Sequence, residues 1–337
     1  MSNVAKIFSI DGRELLIDNI VKSYKESLNT YDSDQLDELI KGNIDIKKFS
    51  DGEITTQFTE AVRGKKVFLV CSTNTSDNIM KLMLASDAAR RASAQEIIAV
   101  MPYYGYARQD RKDGLRGPVG ARVIANILKA NGVNRVIAID LHAEQIQGFF
   151  NMPVDHINAQ WIFLPYIKEL VKRGEIKNLT LCSPDAGGTK RVDKYYKRLN
   201  DSTMVLMSKR RASANVVESM ELIGDVKGRD VIIIDDMVDT AGTLCKAAQI
   251  IMDEGASSVR AMCTHAILSG SAEKKLIESP LKELIISDTI DNSVNKEEIE
   301  KSGTKIISLT CASSISKIIK AINNSKSAKE LIHPGEE

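Results

Sequence analysis

Residues 231–243, VIIIDDMVDTAGT, join a run of buried-type residues to two adjacent acids and then to a turn of small residues ahead of an amphipathic segment. A continuous apolar run suits a parallel strand covered on both faces. A small-residue turn at the carboxyl end of such a strand lets backbone N–H groups approach a phosphate, with the positive end of the next helix behind them. Thr240 and Thr243 add hydroxyl donors. Asp235 and Asp236 stand where carboxylates accept hydrogen bonds from vicinal sugar hydroxyls, directly or through a metal ion. The plain alternative is an acid pair that caps the helix or faces solvent.

Working outward, short apolar runs recur at residues 67–70, 97–101, 136–139, 179–182, 204–207 and 259–268. Between them, residues 76–94 and 120–131 carry helical spacing, and Asn131 with Gly132 reads as a helix stop. Strands alternating with helices predict parallel sheets covered on both faces, because parallel strands cannot be joined by tight hairpins. Two strand ends look alike: VIAID at 136–140 and VIIID at 231–235. We read them as a sign of two related α/β halves. The pattern of the first half ends near Asn151 and a new amphipathic segment begins at Trp161, which predicts domains at 1–155 and 156–325. The polar stretch 291–303 reads as a loop or short exposed helix.

A chain of 337 residues exceeds what one hydrophobic core usually organises, in agreement with two domains. Apolar residues at 43% and charged residues at 27% place it among ordinary globular proteins. Forty-six Lys and Arg against forty-five Asp and Glu leave a net charge of +1, so neither a nucleic acid nor an acidic membrane is indicated as partner, and any anion site must be local. Cys71, Cys182, Cys245, Cys263 and Cys311 are scattered and form no CxxC pair, so they read as reduced core residues. MSNVAKIFSIDG lacks the apolar region of a signal peptide, and no run approaches the roughly 20 apolar residues of a membrane helix. We expect a cytoplasmic protein.

Four further segments carry chemistry. Residues 106–116, YARQDRKDGLR, gather Arg108, Arg111, Lys112 and Arg116, whose guanidinium forks suit phosphates, although a solvated basic turn has the same composition. Residues 140–150, DLHAEQIQGFF, put His142 just past a strand end, where a histidine is more often structural. Residues 183–188, SPDAGG, set Asp185 ahead of a glycine turn. Lys209, Arg210 and Arg211 are adjacent cations that repel one another, and as a bland reading they are a surface patch.

Residues 231–243 resemble the motif that binds 5-phosphoribosyl 1-diphosphate (PRPP) in the phosphoribosyltransferase superfamily. Together with the other segments, they make the chain similar to the Mg²⁺-dependent ribose-phosphate pyrophosphokinases, class I, across nearly its whole length. That resemblance implies an α/β fold of two similar phosphoribosyltransferase-like domains. It also implies transfer of the β,γ-diphosphate of ATP to the C1 hydroxyl of ribose 5-phosphate, giving PRPP and AMP. By the same resemblance, Arg108 and Gln109 bind ATP together with Phe49, Asp51 and Glu53 of KFSDGE, Phe49 stacking on adenine and Glu53 hydrogen-bonding its edge. A Phe before Ser-Asp-Gly is otherwise ordinary loop packing. His142 becomes a ligand of ATP-bound Mg²⁺, and Asp185 the carboxylate of a second metal position. Lys209 and Arg211 fall on a mobile catalytic loop that closes on the diphosphate. Arg211, Asp235, Asp236, Asp239, Thr240, Ala241, Gly242 and Thr243 fall on the ribose 5-phosphate site.

The family further implies a homo-oligomer, a hexamer or dimer-built assembly, with an ATP site partly supplied by a neighbouring subunit. Residues 71–80 are shorter than the usual family segment, which bears on regulation. Two alternatives stand beside this reading. A phosphoribosyltransferase shares residues 231–243 but has no need of the Arg-Gln loop, His142 and the Lys-Arg-Arg segment. A catalytically silent relative would have lost loop charges or His142, and all of these are present.

Overall fold

The computed structural model describes residues 4–28, 38–112, 114–210, 219–292 and 294–328. They fall into two compact units, residues 1–158 with 310–337, and residues 159–309.

In the first unit the strands are β1 (Ala5–Ser9), β2 (Leu39–Lys41), β3 (Ile44–Lys48), β4 (Ile54–Phe58), β5 (Lys66–Val70), β6 (Glu96–Met101), β7 (Arg135–Ile139) and β8 (Val154–Ile157). Six of them make a parallel sheet ordered β2-β1-β5-β6-β7-β8, while β3 and β4 form a separate antiparallel hairpin. The central strands are buried along nearly their whole length, as their unbroken apolar runs require. Helix α1 (Glu14–Glu26), α2 (Ser76–Arg91) and α3 (Gly120–Ala130) supply crossovers. Thr75 caps α2 by accepting from Asn78 N at 3.1 Å, and Gly132, at φ +92°, ends α3 as the Asn-Gly pair predicts.

The second unit contains α4 (Gln160–Lys172), β9 (Leu179–Ser183), α5 (Thr189–Tyr196), β10 (Thr203–Arg210), β11 (Ser219–Ile223), β12 (Asp230–Val238) and α6 (Gly242–Asp253). It continues through β13 (Ser258–Ala266), α7 (Ala272–Ile277), β14 (Glu283–Ser287), α8 (Lys296–Lys301) and β15 (Lys305–Leu309). Its sheet is ordered β11-β10-β9-β12-β13-β14-β15, parallel except for β11 on the edge. Arg260 and Glu283 are fully buried here and pair at 3.1 Å. Each charge is tolerable in the core because the other accompanies it.

When the parallel strands of each unit are numbered from its own start, both sheets run 2-1-3-4-5-6. The α/β class and the two similarly wound halves agree with the sequence. The look-alike strand ends do not correspond, however: VIAID lies on β7, fifth in its sheet, and VIIID on β12, third in its sheet. Both are simply buried parallel strands that end in an acid.

The last helix, α9 (Ala312–Asn323), corrects the domain limits drawn at 155 and 325. The second unit stops at Leu309, and α9 belongs to the first, where it packs on α1. Ile315, Ile318 and Ile319 are buried, each contributing about 1.5–3 kcal/mol. Asn323 Nδ2 donates to Tyr24 Oη at 3.1 Å, Lys320 Nζ to Ser27 O, and Lys66 Nζ to Ile322 O at 3.0 Å. A helix that follows β15 directly in sequence carries no local signal that its apolar face belongs elsewhere. All five cysteines are free, and all but the half-buried Cys245 are buried. Burial pushes the Cys182 thiol up to about 12 and that of Cys245 to about 11, in keeping with inert core residues. Among the described residues no helix is long and apolar enough to cross a membrane.

Candidate active site

In the second unit, β12 pairs with β9 only as far as Ile233 and Cys182, while its pairing with β13 continues to Val238 and Ala266. The sheet therefore opens between its first and third strands, the place where ligands bind in open α/β sheets. Asp235 and Asp236 lie on the stretch of β12 that β9 no longer covers. They are inside the strand rather than beyond it, since β12 runs to Val238. Asp236 is buried, and its N–H donates to Asp235 Oδ1 at 2.9 Å. Burial, then the neighbouring charge of Asp236, push the Asp235 carboxyl well above the usual carboxylate range, with Arg191 pulling the other way.

The turn after β12 is tied down on its outer side. Ser269 N donates to Asp239 O at 2.9 Å and its hydroxyl to Asp239 Oδ1, while Lys275 Nζ donates to Thr240 O at 3.0 Å. Ala241 sits in the left-handed region at φ 56° as the residue that opens α6, and no side chain caps that helix. The first N–H groups of α6 therefore face the mouth of the turn, beside the exposed Thr240 and Thr243. A left-handed alanine costs about 1 kcal/mol or more, a strain typical of ligand-binding turns.

Asp185 lies on the neighbouring loop between β9 and α5. Its Oδ1 accepts from Gly188 N at 2.9 Å, and Ser183 Oγ donates to Asp185 O at 2.6 Å. A Cβ on Gly188 would meet Ser183 Oγ at 2.8 Å, so any larger residue there must displace the hydroxyl that donates to Asp185 O. Arg191 of α5 reaches the acid pair, its Nη1 3.3 Å from Asp236 Oδ1 and 3.8 Å from Asp235 Oδ1. Sequence reasoning missed Arg191. The available signal was a cation three residues after the glycine turn and next to the buried Val192.

Lys209 lies on β10 opposite Met220 of β11, so the segment expected to be a long loop is in part an antiparallel ribbon. The short alternating SMELI of β11 was hidden in a polar stretch. Arg211 lies outside the described residues.

In the first unit, the strand-end loops after β5, β6 and β7 are stitched together. Thr73 N donates to Tyr103 O at 3.0 Å and Gly105 N to Thr73 Oγ1 at 2.8 Å. A Cβ at Gly105 would meet Thr73 O at 2.0 Å, so only glycine permits this approach. Arg108 and Gln109 stand exposed on the loop after β6. His142 stands exposed after β7, and the two loops are joined by Gln145 Nε2 donating to Asp110 Oδ2 at 3.4 Å. Phe49, Asp51 and Glu53 form the turn of the β3–β4 hairpin, where Phe49 N donates to Glu53 O at 2.8 Å and Glu53 N to Asp51 Oδ1 at 3.0 Å. Phe49 is 54% exposed, which core packing does not explain.

The fold defines an α/β protein of two similarly wound halves, and the β12–α6 turn has the form of an anion-binding turn. A family profile described as the N-terminal domain of ribose phosphate pyrophosphokinase matches residues 5–132, and one described as the phosphoribosyl synthetase-associated domain matches residues 184–331. The ribose-phosphate pyrophosphokinase of Haemophilus influenzae is 45% identical over 295 residues, 87% of this chain and 91% of that protein. That of Porphyromonas gingivalis is 48% identical over 250 residues, 74% and 79% of the respective chains. The crystal structure of phosphoribosylpyrophosphate synthetase from Mycobacterium smegmatis aligns with a TM-score of 0.82 at 30% identity, covering 96% of this chain and 100% of that one. The chain belongs to the ribose-phosphate pyrophosphokinase family.

Proposed function

We propose that this protein transfers the β,γ-diphosphate of ATP to the C1 hydroxyl of ribose 5-phosphate, giving PRPP and AMP, a step that feeds nucleotide biosynthesis. The observation that carries the reading is the β12–α6 turn, where an uncapped helix start, two threonine hydroxyls, the half-buried Asp235 and the buried Asp236 converge at the opening of the sheet. A phosphate fits the turn and vicinal hydroxyls fit the acids.

In this reading Asp239, Thr240, Ala241, Gly242 and Thr243 hold the 5-phosphate, while Asp235 and Asp236 orient the ribose so that its C1 hydroxyl faces the β-phosphorus. Arg108 and Gln109 take the ATP phosphates, Phe49 stacks on adenine, and Asp51 and Glu53 hold its edge. Lys209 and Arg211 meet the negative charge that develops as AMP leaves, and their approach excludes water that would otherwise hydrolyse ATP. No residue is needed as nucleophile, and no strong general base is assigned.

Among the described residues no three His, Cys, Asp or Glu side chains converge on a metal site. The donors present suit a Mg²⁺ ion held mainly by ATP phosphates and water, with single contributions from His142 and Asp185. Bound so, Mg²⁺ supplies charge neutralisation to the phosphates. The working form in this reading is a homo-oligomer in which the hairpin turn of one copy serves its neighbour.

The test is an assay of AMP and PRPP with ribose 5-phosphate, ATP and Mg²⁺ each omitted in turn. Product must require all three; AMP release without ribose 5-phosphate would refute the reading. A phosphoribosyltransferase would instead consume PRPP with a nucleobase and release no AMP from ATP.

A further inference from the structure

The two units place the same short pattern at the same strand end. β1 closes on Ser9, followed two residues later by Asp11, and β9 closes on Ser183, followed two residues later by Asp185. Each is the first strand of its sheet, so both pairs lie beside the opening between strands one and three. In the first unit this place holds a cavity of about 370 Å³, within the range of small-molecule sites.

Ser9 and Asp11 line that cavity, and both are orphaned: Ser9 Oγ and Asp11 Oδ1 are buried without a hydrogen-bond partner. The Asp11 side chain is 4% exposed, and its other oxygen accepts from Arg13 Nε at 2.9 Å and from Ser72 N at 2.7 Å. Buried oxygens left in this state require donors. Ile44 and Ile46 of the hairpin form an apolar wall, and Lys47, Lys48 and Lys81 line the cavity together with Asp77 and with Glu14, which pairs with Lys41 at 2.8 Å. Lys48 is paired with Asp77 at 2.6 Å, and Lys81 contacts Asn78 Oδ1 at 3.3 Å. A bare metal cation suits this site poorly, because each of its carboxylates already has a cation beside it, Asp11 with Arg13, Glu14 with Lys41 and Asp77 with Lys48, while Lys47 and Lys81 add positive charge. A small molecule with hydroxyls at one end and a phosphate at the other satisfies both the orphaned oxygens and the lysines.

We propose that this cavity is a second sugar phosphate site, with sugar hydroxyls at Asp11 Oδ1 and Ser9 Oγ and the phosphate at Lys81 and Lys47. The parallel with the second unit rests on reading the β12–α6 turn as a ribose 5-phosphate site; the orphaned oxygens and the lysines stand apart from it. Since Ile44 and Ile46 belong to the hairpin that carries Phe49, a bound ligand braces that hairpin and so tunes ATP affinity.

Calorimetric titration of the whole protein with ribose 5-phosphate tests the proposal. The wild type is expected to bind two molecules per chain, and Thr243→Val to hold one of them roughly tenfold more weakly. Adding Lys81→Gln or Ser9→Ala to Thr243→Val should weaken the other site roughly tenfold or more, the loss of one charge-assisted or buried hydrogen bond. A single wild-type site that Thr243→Val weakens overturns the proposal while leaving the turn assignment intact. Binding unchanged by Lys81→Gln and by Ser9→Ala overturns it as well. A single wild-type site that ignores Thr243→Val but is lost in Lys81→Gln supports the cavity and sinks the turn assignment instead.

Discussion

Arg191 of α5 holds Asp236 of β12 across the opening of the second sheet, Nη1 to Oδ1 at 3.3 Å. The same guanidinium lies 3.8 Å from Asp235, so one side chain fixes the orientation of both acids. Arg191→Met should remove that ion pair from the buried Asp236, costing on the order of 3 kcal/mol of stability. It should also raise the KM for ribose 5-phosphate more than it lowers kcat. Arg191→Lys returns the charge without the fork and should recover stability better than KM. Steady-state kinetics beside urea unfolding separates the two effects, and an unchanged KM in Arg191→Met would remove Arg191 from the site.

The raised carboxyl of Asp235 has a sign that can be checked. An acid whose folded pKa lies above its unfolded value of 3.8 binds its proton more tightly when folded, and the Asp235 side chain is 29% exposed, so solvent tempers the effect. Stability therefore falls as pH rises from the unfolded value through the folded one, and the penalty is fully present above the latter. Asp235→Asn removes it, so the metal-free variant should melt about 2–4 °C higher at neutral pH. Scanning calorimetry should show the two proteins converging as pH drops below 3.8. A gain that is the same at every pH contradicts this origin.

At the phosphate turn, Thr243→Val removes a donor from an exposed position and should leave the fold intact while weakening ribose 5-phosphate roughly tenfold. A Cβ on Gly242 would meet Lys275 Nζ at 3.3 Å, the movable end of a long side chain. Gly242→Ala should therefore fold as well, and Gly242→Val should impair binding by crowding the approach of the phosphate. Calorimetry showing wild-type affinity in Thr243→Val would place the phosphate elsewhere.

Lys209→Ala and Arg211→Ala are each expected to lower kcat by on the order of 10² or more, with little change in ribose 5-phosphate affinity, because the charges engage as the transferred group develops charge. Single-turnover rates are the measurement. A raised KM at constant kcat would assign them to ground-state binding.

Away from the site, Glu283→Gln should cost about 3–5 kcal/mol, since it strands the fully buried Arg260. Replacing both by apolar residues of similar size should recover most of that loss in urea unfolding. If the single variant is as stable as the wild type, the pair has no structural weight.

Much of this was legible in the chain. Residues 231–243 announce a buried strand and a tight turn into a helix because parallel strands need unbroken apolar runs and sharp turns favour small residues. Asn131 and Gly132 announce the end of α3 for a similarly local reason. What stayed hidden was non-local. Arg191 joins the acids only because β9 and β12 are neighbours, and a lone arginine on a short helix carries no sign of that. Ser9 and Asp11 become partners of Ser183 and Asp185 only once both sheets are seen to wind alike. The KFSDGE segment looked like an ordinary loop because its hairpin strands are short and mostly polar.

The return of α9 to the first unit has a consequence for synthesis on the ribosome. The second unit, residues 159–309, is contiguous and can close as soon as β15 has emerged, whereas the first lacks Ile315, Ile318 and Ile319 until the final segment is free. The usual vectorial order, in which the amino-terminal domain matures first, is thereby inverted. A nascent chain stalled before Ala312 would present a finished second unit attached to a first unit that lacks its last helix, and α1 would expose the face that α9 covers.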